Sequence, residues 1–469
     1  MKEQKILFVK PFSTLGYAIT PPLSLGYLAS YLRKDGWSNI EILDCTLKQV
    51  SPEKFKEYVL EKKPDVIGVT VYSNNIKIVK EQINVAKEAN PEVLVVIGGP
   101  HASAIDSKEL MGYFDKIDFA FKGEGEKGLK MLLEKLFQNK DIPLSHIPGL
   151  VYRSEGEVFF NPVYFEEDLD SLPFPAWDFM PPGEYPEAPA GSFFKQLPIG
   201  YLVTSRGCPY NCTFCASKSV VGRNMRMRSA DNIIEEMKWA IEKYGIKEFH
   251  IMDDNFTAHR ARAVEVLEKI VANNFNISLF GANGLRLDTL DDELLKLMKK
   301  AGFYAIHVGI ESGSQRIMDH MNKHIKKEMV EERIKAIRKM GFRTGGAFII
   351  GYPEENEDDL RQTYEFSRKL MLDRAGFNFY LPLPGSEMYT WLKESGRIDG
   401  VDWDKIRFDN ITVCPKGISR ETLKKWHRKI FLGFWLRPRI VFNVLRDLRS
   451  PAHLKLILKR VFNYLRPTK

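Results

Sequence analysis

At 469 residues the chain has room for two or three domains of about 100 to 200 residues, so a single small module is excluded. Its 44% hydrophobic, 12% aromatic and 28% charged residues are those of a folded protein, neither disordered nor fibrous. The net charge of +8 is uneven: residues 416–469 hold 15 basic and 2 acidic side chains, which leaves −5 on the rest and gives the tail an anionic partner. Near the apolar C-terminal part the longest charge-free run is residues 430–436, far short of the ~20 apolar residues of a membrane span. The opening MKEQKILFVK enters a strand-like run with no long apolar stretch and cleavage site, so a cytoplasmic location is expected.

Along residues 1–145, short apolar runs alternate with amphipathic ones: KILFVK, LSLGYLASYLRKDG, IEILDC, FKEYVLEKK, DVIGVTVY, VKEQINVAKEA, EVLVVIGGP and IDFAFKGEGE. Strand followed by helix, repeated, predicts a doubly wound parallel sheet with helices on both faces. Such sheets bind ligands beyond the carboxyl ends of their strands. At those ends lie residues 11–22, residues 71–75, Gly98-Gly99-Pro100-His101 and the GEGE run at residues 123–126. Residues 146–198 are rich in proline and aromatics and predict an extended connection lying on a surface. From Ile199 the alternation resumes, and six further strands ending near Leu383 predict an incomplete β/α barrel over residues 199–390. Residues 391–469 remain as a C-terminal region.

Three of the five cysteines, Cys208, Cys212 and Cys215, fall within one loop after the strand-like YLVTSRG. An odd total with a tight triplet is no disulfide framework and points to reduced thiolates holding a metal or cluster. Three thiolates can hold three irons of a four-iron, four-sulfur cluster and leave the fourth open to a small molecule. A structural zinc normally takes a fourth ligand at similar spacing, and none follows here. Cys45 and Cys414 stand alone.

This spacing, with Phe214 before the last cysteine, resembles the radical S-adenosylmethionine (SAM) superfamily. The resemblance implies a cluster whose open iron takes the amino and carboxylate groups of SAM, and whose electron releases a 5′-deoxyadenosyl radical. Further segments agree in order, and each carries an implied SAM contact besides Phe214: Asp253, Asp254 and Asn255 in HIMDDNF, Arg286 in GANGLRLD, Glu311 and Ser312 in HVGIESGSQ, and Gly351 in GGAFIIGYPEENEDD. LPLPGSEMY resembles the end of the sixth barrel strand.

The N-terminal sheet is similar to the cobalamin-binding domain that precedes such barrels, through PPLSLGYLASYL, DVIGVTVYS, VVIGGPHAS and GEGE. The implied cobalamin contacts are Ser13, Leu15, Tyr72, Ser73, Gly98, Gly99, Pro100, His101, Gly123 and Glu124. The Asp-x-His-x-x-Gly pattern that supplies a histidine to cobalt is absent, so His101 is not expected on cobalt and the base of the cofactor is expected to be displaced. Together the motifs resemble the branch containing the anaerobic magnesium-protoporphyrin monomethyl ester cyclase and the hopanoid and phosphinate methylases, over residues 1–390.

The resemblance implies a cobalamin-dependent methyltransferase acting on an unactivated carbon, with an electron donor such as ferredoxin or flavodoxin. An sp³ carbon has no lone pair for polar methyl transfer, so a sequestered radical is required. A ring-forming enzyme of the cyclase type is the alternative, and a non-catalytic cobalamin-binding sensor a third. Methylthiotransferases of transfer RNA carry a second cysteine cluster in the N-terminal domain, where this chain has only Cys45; nucleic acid is not the expected partner. In the tail, apolar residues recur at helical spacing: Trp426, Ile430, Phe431, Phe434 and Trp435, then Val441, Val444, Leu445 and Leu448, then Leu454, Ile457, Leu458, Val461, Phe462 and Leu465. With basic residues between them they predict helices on an anionic membrane surface, and hence a lipid or isoprenoid substrate. The competing reading is a helical cap on the barrel.

Overall fold

The computed structural model describes residues 2–12, 19–186, 193–398, 401–403, 406–407, 410–448, 451, 454–455 and 457–458. Ser13, Leu15, Val461, Phe462 and Leu465 lie outside the described residues.

The first sheet is built from β1 (Ile6–Lys10), β2 (Ile40–Asp44), β3 (Val66–Thr70), β4 (Leu94–Gly98), β5 (Phe119–Phe121), β6 (Leu150–Ser154) and β7 (Glu157–Phe160), in the order β2-β1-β3-β4-β5-β6-β7. β1 to β5 are parallel, and alternate residues of β1 feed the two faces. Leu7 and Val9 pack under the helices Pro52–Lys62 and Ile76–Ala89, whereas Ile6 and Phe8 pack under Leu23–Lys34 and Glu126–Gln138. Both faces are covered, which is why the strands read as nearly unbroken apolar runs.

The sheet does not stop near residue 145, for β6 and β7 extend it as an antiparallel hairpin into the stretch expected to be connection. Their turn, Glu155-Gly156, has φ of 50° and 81°. A two-residue turn of this hand wants Asn or Asp before the glycine, so the Glu-Gly pair carried a weak signal. The remaining connection packs rather than dangles: Trp177 and Met180 are buried against Ile199 and Tyr201, and Arg33 binds Asp178 at 2.7 and 3.0 Å.

β8 (Ile199–Leu202), β11 (Glu248–Ile251), β12 (Ser278–Leu285), β13 (Phe303–Glu311), β14 (Arg343–Ile350) and β15 (Arg374–Phe379) form the six-stranded parallel sheet of an incomplete barrel. A short hairpin of β9 (Ser205–Arg206) and β10 (Arg226–Met227) stands at its carboxyl end and brackets the cysteine loop.

The helix Arg420–Trp435 is a cap. Leu423, Ile430, Phe431 and Phe434 are buried in the barrel's outer core, the Phe377 and Phe434 rings lie 5.7 Å apart, and His427 Nε2 meets the Phe377 carbonyl at 2.9 Å. The apolar face expected on a membrane is therefore occupied by the barrel, with Trp426 and Trp435 at its margin. On the next helix, Pro438–Arg446, Ile440 and Asn443 face inward, whereas Val441, Phe442 and Leu445 are exposed. Among the described residues no helix is long and apolar enough to cross a membrane.

Candidate functional site

The cysteine loop begins where β8 ends, and its entry is held by a buried carboxylate. Asp253, immediately after β11, accepts the Thr204 N–H at 2.6 Å, the Ser205 hydroxyl at 2.6 Å and the Thr204 hydroxyl. These bonds tie the carboxylate to the loop's stem. Its neighbour Asp254 is exposed and accepts the Ser217 hydroxyl at 2.9 Å. Gly207 turns the chain at φ 100°, where a Cβ would collide with the Asn224 carbonyl.

Cys208, Cys212 and Cys215 are all partly exposed. Burial pushes the Cys208 thiol up and the Cys215 thiol up to about 11. Among the described residues no three His, Cys, Asp or Glu side chains converge closely enough to chelate one metal ion. Three thiols on one loop are the ligand number that a four-iron cluster with one open iron takes.

Two cations stand beside Cys212. Arg286 lies over the Tyr210 ring at 3.8 Å and donates to Asp288 at 2.7 and 3.0 Å and to the Lys323 carbonyl at 2.7 Å, which leaves Nη1 buried without a partner. Lys323 is buried and bonds Glu311 at 2.9 Å; burial opposes its charge, but Glu311 and Cys212 hold its ammonium above the usual lysine value. Gly309 makes room for this pair, since a Cβ there would strike Glu311. Lys323 is not legible in the sequence because only the fold brings it beside the cysteine loop, and Tyr210, although within that loop, is marked only by the Arg286 guanidinium that the fold lays over its ring.

The other expected SAM contacts divide. Phe214 packs with Tyr352, Tyr380 and Met388 on the sixth-strand side. Asn255 is buried, with Nδ2 unpartnered. Ser312 is buried and bonds Thr363 and the Ser314 N–H at 3.3 and 3.1 Å, so it shapes the turn after β13. Gly351, at φ 81°, donates its N–H to Glu355 at 2.6 Å, and a Cβ would meet Leu423 at 2.7 Å. Burial pushes the Glu355 carboxyl up to about 8.

On the N-terminal sheet, β1 and β3 are neighbours in space but lie on either side of the strand-order reversal, where such sheets bind ligands. Tyr72 is exposed there, and the Ser73 hydroxyl lies 3.0 Å from His101 Nδ1. His101 is buried under the edge of Trp403, 4.9 Å between centroids, and burial lowers its imidazole to about 4. Gly98 leaves open space, the nearest atom to a Cβ being 3.9 Å away, which suits a bulky ligand. Gly99, at φ 98°, has a different reason: a Cβ would meet Thr70 Oγ1 at 2.7 Å and the Val71 backbone at 3.0 Å. Pro100 opens the short helix Pro100–Ala104, which packs on the helix Ser217–Val221 that comes after the last cysteine.

A Cβ on Gly123 would meet Val163 at 2.7 Å, and Glu124 pairs with Arg226 at 2.8 Å and Arg206 at 3.3 Å. These residues join the two domains beside the cysteine loop.

Residues 15–133 match the B12 binding domain model and residues 202–367 match that of the radical SAM superfamily. An uncharacterized methyltransferase of Pyrococcus horikoshii is 30% identical over 449 residues, covering 94% of this chain and 95% of that one. The anaerobic magnesium-protoporphyrin IX monomethyl ester cyclase of Rubrivivax gelatinosus is 27% identical over 427 residues, 89% of this chain and 75% of its own. The radical SAM methyltransferase TsrM from Kitasatospora setae, solved with cobalamin and a [4Fe–4S] cluster bound, shares the fold with a TM-score of 0.66 at 20% identity, over 91% of this chain and 81% of that one. The chain thus belongs to the cobalamin-dependent radical SAM methyltransferase family, as an enzyme whose cofactors are a [4Fe–4S] cluster, SAM and cobalamin.

Proposed function

We propose that the enzyme methylates an unactivated carbon of an apolar, lipid-like small molecule, with Cys208, Cys212 and Cys215 as the cluster ligands. The observation that carries this reading is the packing of the helix Ser217–Val221, directly after Cys215, on the helix Pro100–Ala104 of the cobalamin domain. It brings the cysteine loop up to the carboxyl end of the first sheet, which supports a shared site. When bound, the cluster and SAM supply the radical that removes a hydrogen atom, and cobalamin supplies the methyl group.

The chain's own residues bind and orient. Arg286, with Nη1 unpartnered, and Lys323 offer positive charge beside Cys212 to the carboxylate of SAM. Asp254 offers an exposed acceptor to its amino group. Tyr72, Ser73 and the open space at Gly98 receive the corrin, and His101 stays off cobalt, buried beside Ser73 and Trp403.

A ferredoxin or flavodoxin is the proposed electron donor. The exposed Val441, Phe442 and Leu445, on a tail with a surplus of 13 positive charges, support contact with an anionic membrane surface and through it an apolar substrate. The cyclase relative makes oxidative ring formation the second reading.

The test is anaerobic incubation of the loaded enzyme with a reductant, trideuteromethyl-SAM and a lipid extract, read by mass spectrometry. The expected result is 5′-deoxyadenosine together with a lipid carrying one intact labelled methyl group. 5′-Deoxyadenosine with an unlabelled, dehydrogenated or cyclised product would replace methylation by the second reading.

A further inference from the structure

The cysteine loop is closed at its base by β9 and β10, and each of these two-residue strands carries an arginine directed at the cobalamin domain. Arg206, two residues before Cys208, bonds Glu126 at 2.8 Å and lies 3.3 Å from Glu124. Its guanidinium sits over the Tyr27 ring at 5.3 Å. Arg226, at the far stem, meets both oxygens of Glu124 at 2.8 and 2.9 Å and donates to the carbonyls of Glu166 at 2.8 Å and Val221 at 2.9 Å. Glu124 in turn accepts the Glu166 N–H at 2.9 Å.

These are not surface pairs of negligible worth. The side chains of Arg226, Glu124, Glu126 and Arg206 are only 3, 9, 11 and 13% exposed. A buried ionic network is a poor source of net stability, and its best-attested use is to fix one geometry among near-equivalents. Both stems of one loop converge on two glutamates just after β5, so the contact fixes the loop's position along and across the first sheet. The helix Ser217–Val221 supplies a second, separate contact on the helix Pro100–Ala104. With two separate contacts the loop can no longer pivot about either one alone.

We infer that Glu124, with Arg206 and Arg226, is a set of positioning residues that holds the cluster loop at a fixed separation from the corrin. Chemistry between two cofactors on different domains demands such registration, since a displacement of about 1 Å costs roughly 100-fold in a well-oriented reaction. The inference rests on the cofactor assignment but not on the identity of the substrate.

The experiment measures the magnetic coupling between Co(II) of bound cobalamin and the reduced cluster by electron paramagnetic resonance, in anaerobically loaded full-length protein without substrate. Iron and cobalamin are counted in the same samples. The variants are Glu124→Gln, Arg226→Gln, and the double variant E124Q/R226Q, which removes both charges and leaves no unpaired buried ion. Wild type is expected to give one narrow distance, and both single variants a distribution broadened by about 1 Å or more with iron and cobalamin retained. The double variant is expected to fall between them. Unchanged width in all three variants would overturn the inference. So would loss of iron in the double variant, which would make the network a folding device. A wild type with no cobalt signal would overturn the cofactor assignment and this inference with it.

Discussion

Three thiols on one loop are a minimal set of ligands for a cluster with an open iron, and removing them tests the site most directly. Replacing Cys208, Cys212 and Cys215 together by Ala is expected to abolish both iron binding and formation of 5′-deoxyadenosine after anaerobic reconstitution. Four irons retained per chain in that variant would reject the ligand assignment. Their neighbourhood was only partly legible in the sequence. The cysteines announce themselves by spacing, but Asp253 and Asp254 are indistinguishable as letters, and it takes the folded turn beyond β11 to send one into the stem of the loop and the other outward. Lys323 was invisible because its duty depends on Glu311, twelve residues away and across a turn.

Glu355 offers a test by pH at the same scale. Its carboxyl is fully buried, bonded to the N–H groups of Gly351 and Tyr352, and pushed by burial from 4.5 to about 8. A carboxyl raised on folding stabilises the native state fully below its unfolded value, and this contribution is lost as pH rises through the folded one. The melting temperature is therefore expected to fall as the pH rises from about 4.5 to about 8. Glu355→Gln keeps an acceptor for both N–H groups and is expected to flatten that decline in thermal unfolding scans. Equal slopes in both proteins would show that another group titrates.

The element that most changes its meaning on folding is the helix Arg420–Trp435. Its sequence offers a basic amphipathic helix with tryptophans, which suits a bilayer surface and a barrel equally well; the period alone cannot name what the apolar face meets. In the fold it meets the barrel. Phe434 lies against Phe377, and Leu423 and Ile430 fill the outer core. Two deletions distinguish this helix from the residues beyond Asp447. Deleting residues from Lys416 onward is expected to strip buried apolar surface from the barrel and give insoluble or unstable protein. Deleting residues 448–469 leaves Asp447 to pair with Arg343 and Arg374 at 2.6 and 3.1 Å and is expected to give a protein that unfolds within a few degrees of the full chain. If the longer deletion melted like wild type, the cap would be dispensable. The strands show the complementary case: all five of the first sheet's parallel strands and all six of the barrel's could be read from their apolar runs, whereas β6 and β7 were hidden by a Glu-Gly turn and a half-exposed edge.

For the whole molecule the governing fact is charge separation. A body of net −5 carries a tail of net +13, and the outward side of the helix Pro438–Arg446 presents Val441, Phe442 and Leu445 beside Leu436. Exposed apolar residues next to basic ones bind a membrane through two additive terms, burial in the headgroup region and attraction to anionic lipid. The attraction amounts to about 1 kcal/mol per basic residue near the surface and decays over about 10 Å at 0.1 M salt. Full-length protein is therefore expected to float with vesicles containing anionic lipid, strongly at low salt and weakly at high salt, and to ignore neutral ones. Removing residues 448–469 takes away six basic side chains and no acidic ones, so it is expected to weaken flotation while leaving the body folded. Phe442→Ser with Leu445→Ser is expected to weaken it at every salt concentration, because the apolar contribution is not screened. Flotation tells these contributions apart by their salt dependence. An intact protein that stays in the soluble fraction with both kinds of vesicle would remove the membrane surface, and with it the support for an apolar substrate, while leaving the cluster and cobalamin sites untouched.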